Sequence, residues 1–116
     1  MTVAPAAVWD IVKIPFPHTD RPVRQHRPGL VIAIPSIADR PALLWVLMIT
    51  SAENRGWPGD VAISDLADAG LPAASVIRTE KIATIDARDA EPIGKLNTPD
   101  VATVQQCLRR HLAAVF

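Results

Sequence analysis

Ser75-Val76-Ile77-Arg78-Thr79-Glu80-Lys81-Ile82-Ala83-Thr84-Ile85-Asp86 is the stretch on which the fold turns. β-Branched residues crowd its two halves, Ser75 to Arg78 and Ile82 to Asp86. Branching at Cβ stiffens χ1 and favours extended backbone, so each half is predicted to be a short strand. The same pattern runs upstream. Val8 to Ile14 predicts a first strand, stopped by Pro15 and Pro17, and Gly29 to Ile34 predicts a second. Leu43 to Ile49 predicts a third, and its unbroken apolar character suggests burial on both faces. Pro41 ahead of it and Thr50-Ser51 behind favour a strand over a buried helix there. Asp60 to Ile63 and Pro92 to Leu96 are further short strands. The chain holds 11 prolines, which remove backbone donors and break helix interiors, and no proline-free window before Pro99 has a clear helical period.

The end of the chain reads differently. Thr98-Pro99-Asp100 supplies a hydroxyl N-cap, a proline at the first helical position and an acid in the first turn. Val101, Val104, Leu108, Leu112 and Val115 then recur at spacings of three and four, the apolar stripe of a helix of about four turns. Short strands followed by one helix predict a mostly β fold, a small antiparallel barrel or rolled sheet with a C-terminal α-helix packed on it. With 116 residues, the chain is expected to form a single domain over 1–116.

Composition narrows the function. Twelve lysines and arginines balance 12 aspartates and glutamates, so a bulk electrostatic case for nucleic acid or membrane fails. The longest apolar run, Ala42 to Ile49, is far short of the roughly 20 residues of a membrane-spanning helix. Met1 to Ala7 has no basic segment followed by a long apolar stretch, so no secretory signal is expected. The one cysteine, Cys107, cannot form an internal disulfide or a zinc site built on several cysteines, and a reducing cytoplasm is the expected location.

The charges are nevertheless unevenly placed. Residues 16–28 hold Arg21, Arg24, Arg27, His18 and His26 against one acid, Asp20. Long loops carried on rigid sheets tend to carry function, and clustered arginines bind phosphate through bidentate hydrogen bonds. The alternative is a solvated loop kept soluble by its charge. The segment is too rich in proline for a DNA-recognition helix and lacks the glycines of a phosphate-binding loop.

At this point the sequence resembles the PemK/MazF family of toxin endoribonucleases from bacterial toxin–antitoxin pairs. The likeness rests on segments in a shared order across nearly the whole chain: Asp10 to Phe16, Arg27 to Ile32 with its leading Arg-Pro, Val46 to Ser51 ending in Thr-Ser, Trp57-Pro58, Ser75 to Asp86, and Ile93 to Leu96. Trp9 stands where the family usually has glycine before the aspartate. The resemblance implies an SH3-like barrel of the CcdB/PemK/MazF type, a homodimer, and an antitoxin whose flexible tail covers the active groove. It implies an mRNA interferase that cuts single-stranded RNA without a metal or other cofactor and arrests growth. DNA would be met only through an antitoxin complex.

By the same resemblance Arg27 and Thr50 form the catalytic pair. Such chemistry uses the neighbouring 2′-hydroxyl as nucleophile, and needs a base, an acid and donors for the charge growing on phosphate. Arg27 suits phosphate better than it suits proton transfer, because guanidinium keeps its proton (pKa above ~12). His18, His26 or Glu80 is better suited to that task. Arg21, Arg24, Ser51, Trp57, Arg78 and Glu80 are candidate RNA contacts. Thr50 has the alternative of capping its strand and Ser51 that of a turn hydroxyl. Arg78 and Glu80 have that of a surface ion pair. Trp57 has that of covering a core or dimer edge. Trp9 and Trp45 are expected in the core, with Cys107 and His111 structural. Competing readings are a non-catalytic barrel that binds a peptide or protein partner in its groove, and a plain RNA-binding barrel.

Overall fold

A computed structural model describes residues 6–16, 25–35 and 43–116 of the chain. Six strands, β1 (Asp10–Phe16), β2 (Gln25–Ala33), β3 (Leu43–Ser51), β4 (Asp60–Ala62), β5 (Ser75–Asp86) and β6 (Glu91–Lys95), form one antiparallel sheet in the order β4-β5-β3-β2-β1-β6. A one-turn helix α1 (Leu66–Ala69) follows β4, and α2 (Thr98–His111) is the last element.

The two predicted strands at 75–78 and 82–86 are one strand. Met48 pairs with Arg78, but the adjoining Leu47 pairs with Ile82, so Thr79 to Lys81 bulge out of the ladder without ending it. The bulge bends β5, which lets a small sheet curl on itself. Pro15 does not stop β1, which reaches Phe16. The β6 ladder ends at Lys13, so Pro15, paired with His26 on β2, lies beyond it near the end of the strand, where proline is tolerated. Pro28 likewise pairs with Lys13 just before the β2–β3 ladder begins at Gly29.

The sheet buries apolar side chains on both faces. Ile11, Leu30, Leu47, Ile49 and Ile77 share one face, where Val104 of α2 completes the core. Val12, Ile14, Val31, Leu44, Val46 and Met48 share the other, inside the curl. The unbroken run Val46 to Ile49 is therefore buried on both sides, as its composition predicts. Trp45 is a correction: it is 45% exposed, alongside exposed Leu43. It pairs with Ala33 and Thr84 at the end of β3, whereas α2 packs over β4 and the near half of β5.

The cap of the helix lies one residue earlier than expected. Asn97, not Thr98, is the N-cap, its side-chain oxygen accepting Asp100 N–H at 2.9 Å. The buried Asp100 carboxylate accepts the backbone N–H and hydroxyl of Ser64 at 2.8 and 3.0 Å, which ties the first helical turn to the end of β4. Val101, Val104 and Leu108 pack on the core, but Leu112 and Val115 lie past the helix end and are exposed. His111 meets the Thr79 hydroxyl at 3.0 Å, a structural role as expected.

Val8 and Trp9 form a turn rather than the start of β1. Trp9 has φ of 76°, the left-handed region that costs a non-glycine residue about 1–2 kcal/mol. Its backbone is fixed on both sides, donating to Val31 O at 2.8 Å and accepting from Leu96 N at 3.0 Å. The indole packs on the core beside Ile32 and Leu108. On the neighbouring strand α1 comes so close to β6 that a Cβ on Gly94 would run into the backbone of Asp68 and Ala69.

Candidate functional site

A cleft of about 280 Å³ opens where β2 begins and β3 ends. Arg27 and Pro28 line it from β2, Thr50 and Ser51 from β3, Asn54 from the 3-10 turn that follows, and residues 71–75 from the loop entering β5. Strand pairing brings Arg27 and Thr50 to one rim. Gly29 pairs with Met48, and two residues further along the same antiparallel direction stand Arg27 and Thr50. Residues two apart on a strand share a face, so both positions fall on one side of the sheet. Arg27 Nε is shielded from solvent, and Pro28, Ile49 and Leu71 add apolar lining to the cleft. A guanidinium and a hydroxyl on one rim can grip an anionic tetrahedral group by charge-assisted hydrogen bonds.

The hydroxyls differ in employment. Ser51 Oγ accepts Glu53 N–H at 3.2 Å and caps the 3-10 turn. Thr50 Oγ1 accepts Asn54 Nδ2–H at 3.0 Å. His26 pairs with Pro15 on the strand position before Arg27, is exposed, and does not line the cleft. His18, Arg21 and Arg24 lie outside the described residues.

Arg78 sits behind the cleft rather than in it. Its Nε and Nη2 donate to the two Asp60 carboxylate oxygens at 3.2 and 3.1 Å, and Nη2 also donates to Asn54 O at 2.6 Å. The guanidinium carbon lies 4.1 Å from the centroid of the Trp57 ring, within cation–π range. The Asp60 carboxylate accepts Gly56 and Trp57 N–H as well. Burial pushes the Asp60 carboxyl up, but the hydrogen bonds from Arg78, Trp57 and Gly56 and the guanidinium charge outweigh it and hold it below the usual carboxylate range. The alternative of a surface pair between Arg78 and Glu80 therefore gives way to a pair of Arg78 with Asp60. The bulge breaks the strand alternation between residues 78 and 80, and Glu80 is exposed. Trp57 is 46% exposed, with one ring face covered by Arg78.

Asn54 and Asp60 are the contributors that sequence reasoning misses. Asn54 could have been noticed as an amide four residues after Thr50. Asp60 carries no local signal, because its partner comes from a different strand. Among the described residues no cluster of three or more His, Cys, Asp or Glu is placed to hold a metal ion, and no helix is long and apolar enough to cross a membrane.

Comparison with known proteins agrees with this architecture. The crystal structure of MazF (Form-I) from Deinococcus radiodurans superposes with a TM-score of 0.68 at 22% identity, covering 94% of this chain and 97% of that one. A MazE–MazF crystal structure (Form-II) from the same organism gives 0.67 at 22% identity, over 93% and 95%. An endoribonuclease in complex with its cognate antitoxin from a mycobacterial species gives 0.66 at 16% identity, over 93% and 96%. No curated protein matches the sequence. A family model described as PemK-like, MazF-like toxin of type II toxin–antitoxin system matches residues 7–112. Spanning nearly its whole length, that match establishes that the chain belongs to the PemK-like, MazF-like toxins of type II toxin–antitoxin systems.

Proposed function

We propose that the chain is an endoribonuclease that cuts single-stranded RNA, acts without a metal ion, and arrests growth until a cognate antitoxin occupies its cleft. One observation carries the reading: Arg27 and Thr50, far apart in the chain, line the same small cleft. The 2′-hydroxyl of the substrate loses its proton and attacks the adjacent phosphorus, the P–O5′ bond breaks, the leaving oxygen takes up a proton from a general acid or water, and a 2′,3′-cyclic phosphate and a free 5′-hydroxyl result. Arg27 holds the non-bridging oxygens and balances the charge that grows on them, while Thr50 donates a further hydrogen bond. The nucleophile belongs to the ribose, so DNA is not cut. A guanidinium is a poor proton acceptor, so another group takes the proton from the 2′-hydroxyl. His26 and Glu80 are exposed and do not line the cleft. On the chemistry of imidazole alone, His18, which lies outside the described residues, is assigned that task.

Two structural neighbours, a MazE–MazF crystal structure and an endoribonuclease in complex with its cognate antitoxin, support an antitoxin partner. An exposed apolar stripe supports the homodimer: Leu43, Trp45 and Ile82 share one side of the β3–β5 ladder. A cytoplasmic location follows from an mRNA substrate. The test is incubation of the purified protein with mixed-sequence single-stranded RNA in chelator, with the cut ends mapped. Defined cuts bearing 5′-hydroxyls, lost in Arg27→Ala and in a His18→Ala variant, are expected. Intact RNA would overturn the proposal.

A further inference from the structure

We propose that Asn54 is a positioning residue that sets the direction of the Thr50 proton, an inference that rests on the ribonuclease reading of the cleft. A threonine hydroxyl has one proton and two lone pairs. The Asn54 amide, at 3.0 Å, donates to Thr50 Oγ1 and fills one lone pair. The hydroxyl proton cannot then point at Asn54, and of the two staggered directions left to it one serves the cleft that Arg27, Thr50 and Asn54 line together. Without a fixed donor the hydroxyl would spread over its staggered rotor positions, most of them unproductive. Asn54 is itself held from behind: Arg78 Nη2 donates to its carbonyl oxygen at 2.6 Å, and Arg78 is anchored by Asp60. The bulge and the ion pair thus act on the reacting phosphate through the orientation of one proton.

Replacing the amide with a carboxylate reverses the hydrogen bond. Asn54→Asp has nearly the same shape but only accepts near neutral pH, so it draws the Thr50 proton away from the cleft and presents a lone pair to the phosphate. The main-chain oxygen that Arg78 grips is untouched, and the side chain is exposed, so the fold is not at stake. Steady-state cleavage of one RNA is measured for wild type, Thr50→Val, Asn54→Asp and the double variant, with thermal unfolding as a control. Each single variant is expected to lower kcat about ten- to hundredfold, the range of a hydrogen bond to a charged group, with KM changed much less. The double variant is expected to be no more than about twofold slower than Thr50→Val alone, because without the hydroxyl there is nothing left to misdirect. If Asn54→Asp costs as much in the Thr50→Val background as in wild type, it acts by touching or repelling RNA directly and the inference is wrong. If Thr50→Val is slow while Asn54→Asp cleaves like wild type, the inference fails and the ribonuclease reading stands. If Thr50→Val cleaves like wild type, the reading of the cleft fails and this inference with it.

Discussion

Arg78→Met removes the charge and the fork of donors while keeping much of the aliphatic stem. Three interactions are lost together: the two bonds to Asp60, the bond to Asn54 O, and the stack on Trp57. The side chains of the pair are only 12% and 8% exposed, so this is not a screened surface bridge. Breaking a buried pair from one side costs about 3–5 kcal/mol, because the remaining charge is left uncompensated. Here Gly56 and Trp57 N–H still serve the Asp60 carboxylate, which places the expected loss near the lower end, about 3 kcal/mol. Urea unfolding followed by tryptophan fluorescence measures it, with Asp60→Asn and the double variant completing a cycle; a coupling energy of at least about 1.5 kcal/mol is expected. A pH series adds an independent check. A carboxyl held below its ordinary value contributes stability that is full above the unfolded-state pKa, about 4, and is lost as pH falls through the lower folded value. Wild type should therefore lose stability more steeply than Arg78→Met below about pH 5. A loss under about 1 kcal/mol, with zero coupling and parallel pH curves, would refute the claim that this pair braces the turn bearing Asn54.

Trp9→Gly and Trp9→Ala both remove the indole and should both destabilise, but the glycine variant should be the more stable of the two by about 1 kcal/mol in chemical denaturation, reversing the usual order because φ is positive there. Gly94→Ala should cost more than about 3 kcal/mol or prevent soluble expression, since its methyl meets backbone rather than a movable side chain. Trp45→Glu combined with Ile82→Glu should give a monomer in light scattering, where wild type gives the proposed dimer, while leaving the fold intact by circular dichroism, both side chains being about half exposed.

The strands were legible because their apolar and β-branched runs are bounded by proline and turn residues, and all of them carry through with shifted ends. What was not legible is set by pairing. Ser75–Arg78 and Ile82–Asp86 read as two strands because Thr79 to Lys81 lack a strand pattern, yet β3 alongside holds both halves in one ladder. The exposure of Trp45 depends on where α2 stops covering the sheet, which no local pattern encodes. Helix α1 is too short for an apolar period, although Asp65 accepting Asp68 N–H and Gly70 at φ of 72° are ordinary start and stop signals. In the cleft, Arg27 and Thr50 could be named only through family resemblance. Their meeting follows from the β2–β3 register, and that register follows from burying Leu30 against Leu47 and Val31 against Val46.

That dependence separates two parts of the proposed enzyme. Arg27 and Thr50 sit on strands whose pairing is enforced by buried apolar residues, and a one-residue slip would send every core side chain of β2 or β3 to the opposite face, exchanging the two packed clusters. Their spacing is thus defended by the stability of the whole domain. Asn54 is held differently: it ends the 3-10 turn after β3, and its main-chain oxygen is gripped by Arg78, which Asp60 anchors. The proton direction at Thr50 is therefore the feature of the cleft most easily changed by one substitution far from the phosphate, and Arg78→Met should slow cleavage at temperatures where the fold is still fully populated.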